Sequence, residues 1–135
     1  MRSVSLWFLI AGALSAWPVL AHHKIPPGRF QETFTDVQGV VKEVQMKPPH
    51  AWIILEVKGE KGEPQIWPLE GASPMTLEKL GVTADYIKPG DTVKARCRRL
   101  VIVRGDYDCI LGFLKARDGS VKDWSGGNAS VPADF

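Results

Sequence analysis

The chain predicts an all-β fold with a small α content: a five-stranded OB-like β-barrel with one short helix between strands three and four. Three observations carry this prediction. Five stretches show strand-type apolar patterning separated by glycine and proline turns. The clear helix signal, Ser73-Pro74 leading to Gly81, falls between the third and fourth of them. The first strand shifts its apolar phase near Val40-Val41, which marks the bulge that a closing barrel needs in order to bend.

The first strand is predicted from Val37 to Met46, with apolar residues at Val37, Val40, Val41, Val44 and Met46. Lys47-Pro48-Pro49-His50 ends it, because proline has no amide to give a ladder. Residues 51–58 form the second strand, with Ile53, Leu55 and Val57 inward and Ile54, Glu56 and Lys58 outward. Gly59-Glu60-Lys61-Gly62 is the hairpin loop to a third strand over residues 64–70, where Pro68 predicts an edge position or a bulge. The helix runs from Pro74 to Leu80, and Thr83 starts a further short turn through Ile87. Pro89-Gly90-Asp91 turns the chain into a fourth strand over residues 92–103. There Val93, Ala95 and Cys97 share a face until Arg98-Arg99 breaks the alternation. After a turn at Arg104-Gly105-Asp106, the fifth strand runs from Tyr107 to Ala116 with Tyr107, Cys109, Leu111 and Phe113 inward.

The ends of the chain read differently. Arg2, the uncharged and mostly apolar run Val4–Trp17, and small residues at Val19 and Ala21 have the form of a secretory signal peptide over residues 1–21. The apolar run is about 14 residues, short of the roughly 20 that span a bilayer. Residues 22–36 read as an extended arm with Phe30 and Phe34 against the barrel, residues 37–116 as the barrel, and residues 117–135 as a loose tail. Without Arg2 the chain carries 16 basic and 15 acidic residues, so no general attraction to polyanions is expected. Export points to the periplasm or the exterior, an oxidising compartment in which Cys97 and Cys109 are expected to form a cross-strand disulfide.

Several of these pieces occur together in a recognisable order: Ala21-His22-His23, then GVVKEV, PPHAWIILEV, IWPLEG, SPMTLEKLG and KPGDTV. This set resembles the secreted bacterial proteins of domain-of-unknown-function family 6152, over about Ala21 to Phe113. Pro48 stands where that family usually has asparagine, and the fourth strand is more basic, with Cys97. The resemblance implies an exported OB-like barrel and no particular activity.

Candidate chemistry falls into three groups. His22, His23 and His50 are the three histidines of the chain. After cleavage behind Ala21, the α-amine and imidazole of His22 would form a chelate suited to Cu(II), with His50 as a further nitrogen and Met46 as a soft ligand for Cu(I). The usual zinc spacings are absent, and a terminal or loop histidine is commonly an ordinary solvated residue. The barrel face offers Trp52, Trp67, Arg96, Arg98 and Arg99, aromatics with cations that suit an organic or anionic ligand, a sugar, or an envelope protein. The compartment and the near-neutral charge argue against nucleic acid as the partner. Glu70 with Asp106 or Asp108 is the remaining carboxylate pair, with nothing in the spacing to bring them together. No nucleophile elbow or phosphate loop is legible. The expectation is therefore an exported binding module, with copper as the candidate cofactor and a copper-dependent oxidoreductase as the enzymatic alternative.

Overall fold

A computed structural model describes residues 28–101 and 108–135. The strands are β1 (Thr35–Gln45), β2 (Trp52–Lys58), β3 (Pro64–Glu70), β4 (Thr92–Arg99), β5 (Cys109–Lys115) and β6 (Val121–Asp123), with helix α1 (Pro74–Lys79) between β3 and β4. The sheet order is β3-β2-β1-β4-β5-β6, and a parallel pairing of β3 with β5 closes the first five strands into a barrel. That seam is short, with Leu69 opposite Cys109 and Glu70 opposite Ile110. The expected five-stranded barrel and its helix are present. The signal-like segment, His22, His23 and the Arg104 turn lie outside the described residues.

Two bulges set the curvature. In β1 the register against β2 slips between Val41 and Glu43, where the apolar phase changes in the sequence. In β5 the slip falls at Gly112, since Arg96 pairs with Phe113 and Cys97 with Leu111. The second bulge corrects the inward set expected for β5. Cys109 and Leu111 face the core as expected, but after Gly112 the core takes Leu114 and Ala116. Phe113 is buried outside that cluster, with its ring 6.3 Å from that of Phe135. A glycine inside a strand is the local sign of such a bulge.

The core collects the inward residues of every wall: Val37 and Val41, Ile53 and Leu55, Trp67 and Leu69, Val93 and Ala95, Leu111 and Leu114. Helix α1 plugs one end with Leu77, and Val82 and Ile87 follow it in. Ser73 caps the helix, its hydroxyl accepting from the Thr76 amide at 3.2 Å, and Gly81 leaves it with φ +77°. Among the described residues nothing pairs with Pro68 on the edge of β3 opposite β2, which suits a residue without an amide.

The two flanks of the barrel are ordered into it. Ahead of β1, Phe30 pairs with Leu100, Gln31 N donates to Arg99 O at 2.8 Å, and Val101 N donates to Arg29 O at 2.9 Å. Residues 29–31 of the expected arm therefore run along the end of β4, its residues 22–27 lie outside the described ones, and Leu100 leaves the regular strand. The expectation of a loose tail is corrected. Residues 121–123 form β6 against β5, Trp124 N donates to Gly112 O at 2.7 Å, and Ala72 N donates to Trp124 O at 2.8 Å. Trp124 is only 1% exposed, so its indole anchors the segment to the barrel. No helix among the described residues is long and apolar enough to cross a membrane.

Candidate functional site

A groove of about 980 Å³ opens over the β3–β5 seam. Three parts of the chain build it. The segment before β1 supplies Arg29, Phe30 and Phe34; the β1–β2 loop supplies Pro49 and His50; and the seam strands supply Glu70 with Ile110 and Gly112. Arg98 enters from β4 and Ser125 from the tail.

Local structure explains each position. Pro48 and Pro49, joined by a cis peptide bond, end β1 and present His50 beside the last residue of β3. The His50 Nδ1 lies in direct contact with Glu70 Oε1, as an ion pair when the ring is protonated. Gly112 makes room for Phe34: a Cβ there would stand 3.2 Å from both Phe34 Cε1 and Arg96 O. Phe34 is 54% exposed and lies under the Arg98 guanidinium, 5.9 Å from its ring centre. Arg29 stacks in the same way on Phe30 at 5.8 Å.

The expected site residues divide. His50 and Arg98 line the groove. Trp52 and Trp67 are separated, because their alternation puts Trp52 on the outer face and Trp67 inside, 5% exposed within the core. Trp67 is therefore a packing residue, with its Nε1 donating to Gln65 Oε1 at 3.3 Å. Arg99 stacks over the Trp67 ring at 5.1 Å. Met46 packs against the core.

Arg96 is occupied on the outer face. Its Nε and Nη2 donate to Asp36 at 2.7 and 2.9 Å, and its Nη1 donates to Asp134 at 2.8 Å. These carboxylates raise the Arg96 pKa, and the Arg96 guanidinium, helped at Asp36 by Lys94, holds both aspartates below the usual carboxylate value. Such a cation is satisfied internally and has little charge left for a ligand.

Cys97 and Cys109 form the expected disulfide, with sulfurs 2.08 Å apart and Cα atoms 5.6 Å apart. They stand diagonally across the ladder rather than opposite, because Cys97 faces Leu111 and Arg99 faces Cys109. Glu70 partners His50, twenty positions away; among the described residues it meets no aspartate, and Asp106 lies outside them. Among the described residues no group of three or more His, Cys, Asp or Glu stands together to hold a metal ion. His22 and His23 lie outside the described residues.

Arg29, and Phe30 and Phe34 as binding residues, were not legible as a site. Their only sequence signal is two aromatics in a polar lead-in that proline and glycine set apart from the first strand.

No curated protein matches the chain. A family model described as a family of unknown function, DUF6152, matches residues 9–101. That stretch is more than half of the sequence and runs from ahead of the barrel to the end of β4, so the chain belongs to this family.

Proposed function

We propose that the protein is an exported binding module of the bacterial envelope that holds a small, partly apolar organic ligand in the groove over the seam. The observation that carries this reading is the groove itself. Its volume, about 980 Å³, stands at the upper end of the roughly 300–1,000 Å³ typical of small-molecule sites, and it combines aromatic walls with a few polar groups. The signal-like first 21 residues support export, and the disulfide is compatible with it. The test is native mass spectrometry of protein purified gently from its envelope fraction, with Nile red titration of the emptied protein. The expected result is a small-molecule adduct and saturable dye binding, both lost in the Phe30→Ser/Phe34→Ser double variant. No adduct and no saturable binding would overturn the reading.

A second reading rests on the contact of His50 with Glu70. A carboxylate on one ring nitrogen is the arrangement that orients an imidazole to ligate metal through the other. With cleavage behind Ala21, His22 would add an amine and an imidazole, with His23 adjacent, in a Cu(II) site; a copper-dependent oxidoreductase would be its enzymatic form. N-terminal sequencing with elemental analysis tests it: one copper per chain, lost in His50→Ala, is expected, and a processed protein that takes up no copper would exclude it.

A further inference from the structure

We propose that the ligand of the groove is an amphiphile with one anionic oxyacid head, carboxylate or phosphate monoester, and an apolar tail. This rests on the groove being the binding site and adds the chemistry of its occupant.

The groove carries more fixed positive charge than negative. The groove is lined by two guanidinium groups, Arg29 and Arg98, and by the carboxylate of Glu70. Glu70 is engaged by His50. Neither arginine has a carboxylate partner among the described residues; each only stacks on a phenylalanine. The contrast with Arg96 in the same strand as Arg98 is instructive. Arg96 is held by two aspartates, Asp36 and Asp134. A cation–π contact of this length leaves the N–H groups of a guanidinium able to donate, and that fork takes a planar or tetrahedral oxyanion by two parallel hydrogen bonds. The aromatic partners extend the same wall as apolar surface, with Phe34 half-exposed and Ile110 also lining the groove. A bare inorganic anion would fill little of about 980 Å³, so the occupant has an apolar body as well as a charged end.

The experiment is isothermal titration of the full exported chain with four twelve-carbon probes below their micelle concentrations: laurate, dodecyl phosphate, dodecanol and dodecyltrimethylammonium. One site per chain is expected for laurate or dodecyl phosphate, at least tenfold tighter than for the neutral and cationic probes and weaker in high salt. Whichever anion is preferred identifies the head. Arg98→Gln should weaken the anion at least tenfold, Arg29→Gln should weaken it less, and Lys58→Gln, on the exposed end of β2, should leave it unchanged. Equal binding of all four probes would overturn the anionic head while leaving the apolar groove in place. Failure of every probe, together with failure of Nile red, would remove the groove as a binding site. Should Arg98→Gln not fold, the ranking of the four probes on the unmodified protein still decides the question.

Discussion

Arg98 and Arg96 differ by two positions and share one face of β4, yet their chemistry diverges because of what stands opposite. Asp36 on β1 reaches Arg96 through a bidentate pair, while among the described residues Arg98 meets the ring of Phe34 and no carboxylate. The Asp36 carboxylate has a folded pKa below its ordinary value near 3.8, chiefly through the hydrogen bonds from Arg96. A depressed carboxylate stabilises the fold fully above its unfolded pKa, and the contribution fades as pH falls through the folded value. Melting temperature should therefore drop as pH is lowered from about 5 toward 2, and the Asp36→Asn variant should show a shallower acid limb together with a lower melting temperature at pH 7. An unchanged acid limb in that variant would show that the pair contributes little, as exposed pairs commonly do.

Among the secondary-structure elements, alternation and turn chemistry predicted the course of β1, β2, β3 and α1 closely, because each of those segments is specified by its own residues. The ends of β4 and β5 were less legible. Their apolar pattern runs on through Leu100, but pairing there is decided by Phe30, seventy positions earlier, and periodicity holds no record of that. Gly112 similarly shifted the inward set from Phe113 to Leu114, and β6 is too short, at three residues, to carry a period. The site was half-legible for a related reason. His50, Arg98 and Glu70 were read as candidate side chains, Glu70 without its histidine partner, whereas Arg29 and Phe34 acquire their role only through the seam and the bulge. Between β4 and β5, the bond from Cys97 to Cys109 closes a loop of a dozen residues. The Cys97→Ser/Cys109→Ser double variant should lose about 2–3 kcal/mol in chemical denaturation, with the signal of the folded barrel retained in the absence of denaturant.

For the molecule as a whole, the C-terminal segment belongs to the barrel. Trp124 packs behind Gly71, where a Cβ would stand 3.1 Å from its ring, and its centroid is 6.5 Å from that of Tyr86. Tyr86 in turn donates to Ser120 O at 2.9 Å, and burial pushes its phenol pKa up. Tail, helix junction and barrel wall thus share one hydrophobic cluster. Trp124→Ala should cost about 3–5 kcal/mol in urea denaturation, the range for removing a large buried aromatic. A loss near zero would mean that the segment from Val121 onward is an accessory rather than part of the cooperative unit.

The ring of strands is joined over an overlap of only two residue pairs, and every other junction in it is longer. A hoop made this way has a parting line, and the groove lies along it, with Glu70 on one lip and Ile110 on the other. A ligand that touched both lips would act as a clasp. Filling the groove and keeping the hoop shut would then be thermodynamically linked, and amide exchange at Leu69 and Ile110 should slow as the clasp is applied.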